Sequence, residues 1–116
     1  MNVFQDTLRR VAERVEGTRA VSLVGVDGIP IDTYGSGESF SVESVAAELG
    51  AMVKSARPGE SGSVHQLCLV TDRGKAILSR VTEEYYLLLL LTREGNFGRG
   101  RFELRKAALA LEKELL

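Results

Sequence analysis

Residues Ser41–Arg57, SVESVAAELGAMVKSAR, decide how this chain reads. At 100° per residue, Val42, Val45, Ala46, Leu49, Met52, Val53 and Ala56 fall on one apolar stripe, which predicts an amphipathic helix laid on a sheet. Ser44, Ala47, Ala51 and Ser55, with Gly50 beside them, form an opposite stripe of small residues only. A solvated helix face ordinarily carries Lys, Glu and Arg, because long charged side chains suit both helix and water. Small residues instead let another backbone come close. Gly50 costs about 1 kcal/mol relative to Ala in a helix interior, so a close contact should compensate for it. The small stripe is therefore expected to meet another helix, most simply that of a second copy. A plain surface rich in Ala and Ser is the alternative.

The ends of this helix are marked. Ser41 can cap it, and Phe40 with Val45 has the spacing of a hydrophobic staple. Glu43 lies in the first turn and Lys54 and Arg57 in the last, in accord with the helix dipole. Pro58-Gly59 ends it.

Composition bounds the rest. A chain of 116 residues, 44% hydrophobic and 27% charged, is expected to be one globular domain with a real core. The net charge of −1 leaves no electrostatic footprint for nucleic acid or for an anionic membrane. The one cysteine, Cys68, excludes an internal disulfide and accords with a cytoplasmic setting. MNVFQDTLRR has an amphipathic helix pattern, not that of a signal peptide. No apolar run approaches the ~20 residues of a membrane span.

Outward from the middle helix, Val3–Glu16 is predicted to be a helix with Phe4, Leu8, Val11 and Val15 on its buried face, ended at Gly17. Ala20–Val26 reads as a strand covered on both sides. Asp27-Gly28 signals a two-residue type I′ hairpin, and Ile29–Tyr34 is the return strand. Pro30 cannot donate to a ladder, so that strand belongs at a sheet edge. Gly35–Ser39 is a link to the cap at Ser41. After the polar loop Gly59–Ser63 come a strand at Val64–Thr71, a three-residue turn Asp72-Arg73-Gly74, and a strand at Lys75–Val81. Tyr85–Leu91, YYLLLLL, reads as the central strand, covered on both faces. The last helix is expected over Arg99–Leu116. Leu104, Ala107, Ala108, Leu111 and Leu115 form its core face, and Phe102, Leu109 and Leu116 form a weaker stripe able to meet the first helix. The order αββαβββα, with hairpins and one helical crossover, describes an antiparallel α+β sheet covered on both faces. With the Pro30 strand at one edge and the fifth strand central, Val64–Thr71 takes the other edge, free to pair with another chain. An isologous two-fold homodimer follows, using Ser44, Ala47, Gly50, Ala51 and Ser55 with Val64, Gln66 and Cys68.

No catalytic constellation emerges. His65 is the single histidine, so a His-based metal set cannot be assembled, and it reads as a surface or interface residue. Cys68 alternates with Val70 and reads as a core thiol rather than a nucleophile. Glu83-Glu84 sits in a turn as a solvated pair, and GSG and GNFGRG lack the lysine of a phosphate loop, so no cofactor is expected. Gly98 and Gly100 read as easing a tight start to the last helix. Arg99, Arg101, Arg105 and Lys106 form a basic patch, read as a solvated face, with an arginine supplied in trans to a nucleotide as the alternative.

Three segments, VGVDGIPIDTYG, SVAAELGAMVKSA and YYLLLLLTREGNFGRGRFELRKAALALEKEL, together resemble the roadblock family of dynein-associated light chains, especially its bacterial MglB-like members. The resemblance spans nearly the whole chain. It implies a profilin-like fold, with the middle helix on one face of a five-stranded antiparallel sheet and the two terminal helices on the other. It further implies a dimer that pairs the third strands and lays the middle helices side by side. The implied role is to engage a small Ras-like GTPase, as a GTPase-activating partner that reshapes the GTPase's own site and is not itself an enzyme. Glu43, Glu48, Lys54 and Arg57, on the rim of the middle helix, are the expected GTPase contacts. A dimeric scaffold or adaptor in a motor, polarity or kinase assembly, indifferent to nucleotide, is the second reading. A small-molecule sensor is a third.

Overall fold

The computed structural model describes residues 3–35, 41–56 and 62–115. In chain order they form α1 (Val3–Arg14), β1 (Thr18–Gly25), β2 (Pro30–Gly35), α2 (Val42–Ala56), β3 (Gln66–Thr71), β4 (Gly74–Arg80), β5 (Tyr85–Leu91) and α3 (Phe97–Leu115). The sheet runs β2-β1-β5-β4-β3, with every neighbouring pair antiparallel. The leucine run is therefore central. Leu87 pairs with Leu23 on one side, Leu88 with Leu78 on the other, and Leu87–Leu91 are fully buried. β2 and β3 are the edges.

Strand alternation splits the apolar side chains into two cores. Val21, Leu23, Ile77, Leu87, Leu89 and Leu91 face α1 and α3, which contribute Leu8, Val11, Leu104 and Leu111. Ala20, Val24, Leu78, Leu88 and Leu90 face α2, which contributes Val42, Val45, Ala46, Leu49 and Val53. One helix thus covers one face of the sheet and two helices cover the other. Leu49 is completely buried, so its truncation to Ala should cost about 2–5 kcal/mol.

Several local readings are corrected. Met52 is 44% exposed and lies at the margin of the stripe that Val42, Val45, Ala46, Leu49 and Val53 turn to the sheet. The β1–β2 turn is not type I′, which would need positive φ at both central residues. No non-glycine residue has positive φ among the described residues; Gly28 does, at 86°. Gly28 N–H donates to Gly25 O (2.9 Å) and Gly25 N–H to Ile29 O (3.0 Å), giving a three-residue loop with glycine in the left-handed position. At the β3–β4 hairpin, Thr71 already pairs with Gly74, so Asp72-Arg73 alone make the turn. Val64 precedes β3, whose ladder begins at Gln66. α3 begins at Phe97, two residues early, because Asn96 caps it: its Oδ1 accepts from Arg99 N–H (3.0 Å). Gly100 is a packing residue inside that helix. A Cβ there would lie 3.0 Å from Leu89 and 3.1 Å from Ile77. Phe102 and Leu109 do not meet α1; they are 60% and 59% exposed. Beside the shared apolar core, Glu103, 4% exposed, ties α3 to α1 by pairing with Arg14 (3.6 Å), and it pairs with Arg99 of its own helix (3.1 Å). The readings placed on Phe40, Arg57, Pro58-Gly59, Leu116 and most of the Gly35–Ser39 and Gly59–Ser63 segments lie outside the described residues.

Candidate protein interface

α2 is fixed at its start by Ser41, whose Oγ accepts from Ser44 N–H (3.2 Å) and donates to Glu43 Oε2 (3.1 Å). The inward stripe anchors the helix, so its outward side chains are held at fixed positions on the surface. Ser44, Ala47, Glu48, Ala51, Met52 and Ser55 are all exposed there, and so are Glu43 and Lys54. The face offers small side chains and one thioether, with Glu48 beside them at mid-helix and Glu43 and Lys54 towards the ends. A backbone or flat surface can approach it closely, and Met52 can adapt to what it meets.

Gly50 is different. It is half-buried, and a Cβ on it would lie 3.2 Å from Gly28 Cα. A Cβ on Gly28 would lie 3.1 Å from Ala47 Cα. The two glycines thus let α2 rest directly on the β1–β2 turn. The close contact that Gly50 calls for is supplied within the same chain.

β3 is the second part of the candidate surface. It pairs with β4 alone, leaving its outer backbone groups open to another strand. Its side chains divide between the two sheet faces. Leu67 and Leu69, with Val64 just before the strand, pack towards α2. Gln66 turns towards α3, donating to Ser79 Oγ (3.3 Å) and accepting from Arg101 Nε (3.1 Å). Cys68 is exposed, not a core residue, because no helix covers its side of β3. Desolvation by neighbouring atoms pushes its thiol pKa above the ordinary value, and the Arg101 charge only partly opposes this. The thiol is therefore protonated at neutral pH, which does not suit a nucleophile.

The two parts meet on one side of the molecule. A cleft of about 430 Å³ runs between the first half of α2 and the β3–β4 hairpin, with Ser44 and Glu48 on one wall and Leu69, Asp72 and Arg73 on the other. Of the residues nominated from sequence, Ser44 and Glu48 belong to this cleft. Ala47, Ala51 and Ser55 continue the helix face, Gln66 and Cys68 turn to the opposite sheet face, and Arg57 lies outside the described residues.

The basic patch at the start of α3 is dispersed. Arg99 pairs with Glu103, Arg101 reaches β3, and Lys106 lies towards α1. Among the described residues no group of three His, Cys, Asp or Glu side chains could hold a metal ion. Among them, too, no helix is long and apolar enough to cross a membrane.

Comparison with known proteins found no matching family model and no matching curated protein. Solved structures do match. MglC from Myxococcus xanthus is 30% identical, with 96% of this chain covering 98% of that one at a TM-score of 0.69. A roadblock/LC7 domain from Streptomyces avermitilis superposes at a TM-score of 0.80 with 21% identity, over 96% of each chain. The gliding protein MglB from Thermus thermophilus superposes at 0.78 with 14% identity, over 93% of this chain and 84% of that one.

Proposed function

The chain belongs to the roadblock/LC7 family, and from that premise we propose that it is a regulatory binding protein that homodimerises and engages a small Ras-like GTPase. The observation that carries the reading is the outer face of α2. A buried stripe holds the helix rigidly, yet Ser44, Ala47, Ala51 and Ser55 stand exposed, with Ser44 on the cleft towards the β3–β4 hairpin, whose β3 edge pairs with no other strand among the described residues. Two copies related by a two-fold axis would lay these small faces together and join the β3 edges into one continuous sheet. Glu43, Glu48 and Lys54 border that face and are the proposed GTPase contacts, together with Arg57. On this reading regulation acts on the GTPase's own catalytic groups, since among the described residues no cluster of three His, Cys, Asp or Glu side chains that could hold a metal ion is present and the one cysteine is a protonated thiol. The likeness to the gliding protein MglB supports a place in a bacterial motility or polarity system.

The test uses Ala51→Glu, which puts a charge into the helix pair. The wild type should sediment as a dimer and retain a small Ras-like GTPase from the same genome when that GTPase carries a GTP analogue but not GDP. The variant should be a folded monomer that loses this retention. A dimer that persists in the variant with native circular dichroism refutes the helix pairing. Retention indifferent to nucleotide makes the protein an adaptor instead.

A further inference from the structure

We propose that a groove on the opposite face of the sheet, between α3 and the β3–β4 edge, docks an acidic amphipathic segment of a partner protein. The groove exists because two helices cannot cover five strands. α1 lies over β1 and β2, α3 lies over β4 and β5, and on the α3 side of β3 Gln66 reaches Arg101 while Cys68 and Val70 stay exposed. The resulting trough encloses about 570 Å³. Val81 and Ala108 give it an apolar base, and Leu109 forms one wall while remaining 59% exposed. Phe102, 60% exposed and seven residues before Leu109, lies on the same face of α3 and prolongs that wall. Two large side chains held out in water along one line are what an apolar partner face would cover.

The charge on the groove is one-sided. Arg80, Arg101 and Arg105 line it, with Glu112 its only carboxylate among the described residues. Arg101 is held in place by a neutral partner, Gln66, so its charge is positioned without being neutralised. Among the described residues neither Arg101 nor Arg105 has a carboxylate within 4.0 Å. Arg80 reaches only Glu83, at 3.9 Å and itself almost fully exposed, a pairing worth little in water. An occupant must therefore bring carboxylates for the arginines and apolar side chains for Leu109 and Phe102. A helix with an acidic face and an apolar face meets both needs. A small anion would leave the apolar wall bare. A nucleic acid would demand a broader basic field than a chain of net charge −1 provides. The α2 face lies across the sheet, so this proposal does not depend on the GTPase reading.

The experiment is selection from a displayed library of random peptides of ~16 residues, about four helical turns, against the full chain. Winning peptides should be net acidic with apolar residues three and four apart. Their affinity, followed by fluorescence anisotropy, should fall about tenfold in Arg105→Glu and again in Leu109→Gln, and should weaken with salt. Both positions are exposed, so both variants should keep the wild-type melting temperature. No enrichment, enrichment of neutral or basic peptides, or peptides that bind both variants unchanged would overturn the proposal. Displacement of the winners by millimolar inorganic phosphate would make the groove a small-anion site, and displacement by phosphatidylserine vesicles a membrane site. Either result overturns it as well.

Discussion

Gly50→Ala sets two effects of opposite sign against each other at one methyl group. Alanine in a helix interior is favoured over glycine by about 1 kcal/mol, so at an open position the change would stabilise the protein. At this position the new Cβ would lie 3.2 Å from Gly28 Cα and 3.5 Å from Gly28 N, both backbone atoms. The turn that carries them is held by the Gly28–Gly25 and Gly25–Ile29 backbone bonds and by Asp27 Oδ1 accepting from Ile29 N–H (3.1 Å). It cannot give way as a flexible side chain would. Forcing a methylene into such packing costs about 1–3 kcal/mol. The balance is a net destabilisation of about 1 kcal/mol, a fall in melting temperature of about 4 °C for a domain of this size. Denaturant titration should show a lower midpoint with an unchanged slope. Because the clash lies within one chain, the loss should be the same at high and low protein concentration, whereas a stability linked to dimerisation shifts with concentration. A stabilised variant, or a loss that disappears on dilution, would refute the argument that Gly50 is there for Gly28.

Three other outcomes follow from the structure. Glu103→Gln removes the carboxylate that holds Arg14 to Arg99, and since both arginines are about half-exposed the loss should be modest, about 1–2 kcal/mol in chemical denaturation and smaller at high salt. Gly100→Val should be far worse, about 3 kcal/mol or more, because even its Cβ would press on Leu89, Ile77 and Leu91 in the centre of the α3 core; a variant melting within a few degrees of wild type would show that α3 can lift from the sheet. Iodoacetamide should label Cys68 slowly at neutral pH, with a rate that climbs only above the ordinary thiol range, and Arg101→Ala should move that climb to still higher pH by removing the one charge that lowers it.

The topology was legible because each clue to it is local and chemical. Pro30 cannot sit inside a ladder, a run of five leucines after two tyrosines needs cover on both sides, and only five short strands compete for places. Those facts alone order the sheet with β5 central and β2 and β3 outside, as observed. What sequence could not give depends on distances between elements. A helix plot contains no other element, so it cannot show that Gly50 rests on Gly28, 22 residues away in the chain. Cys68 and Met52 carry apolar side chains in suitable rhythm, but whether such residues are buried depends on where the neighbouring helix stops. Phe102 and Leu109 failed for the same reason. The Asn96 cap is legible in sequence, since Asn immediately before a helix is a start signal, but Gly98 and Gly100 just after it are poor helix formers and blur the boundary.

The two surfaces differ in the kind of recognition they can support, and the sheet explains why. On the α2 side, one helix lies over the sheet and exposes a row of Ser and Ala, while β3 at the sheet's edge pairs with β4 alone among the described residues. Such a surface is satisfied by symmetry, because its best complement is another flat helix and another free edge. On the other side, α1 lies over β2 and β1 and α3 over β5 and β4, the two bound by Glu103, and the outer part of β3 is left with arginines and large apolar side chains around the gap. That surface is not self-complementary. A second copy would bring arginine to arginine, so it selects a partner of opposite charge. With the proposed dimer on one face, a chain of 116 residues would keep the other face for a different protein. Charge reversal at Arg105 should leave the dimer intact, while Ala51→Glu should leave the groove's peptide affinity per chain unchanged.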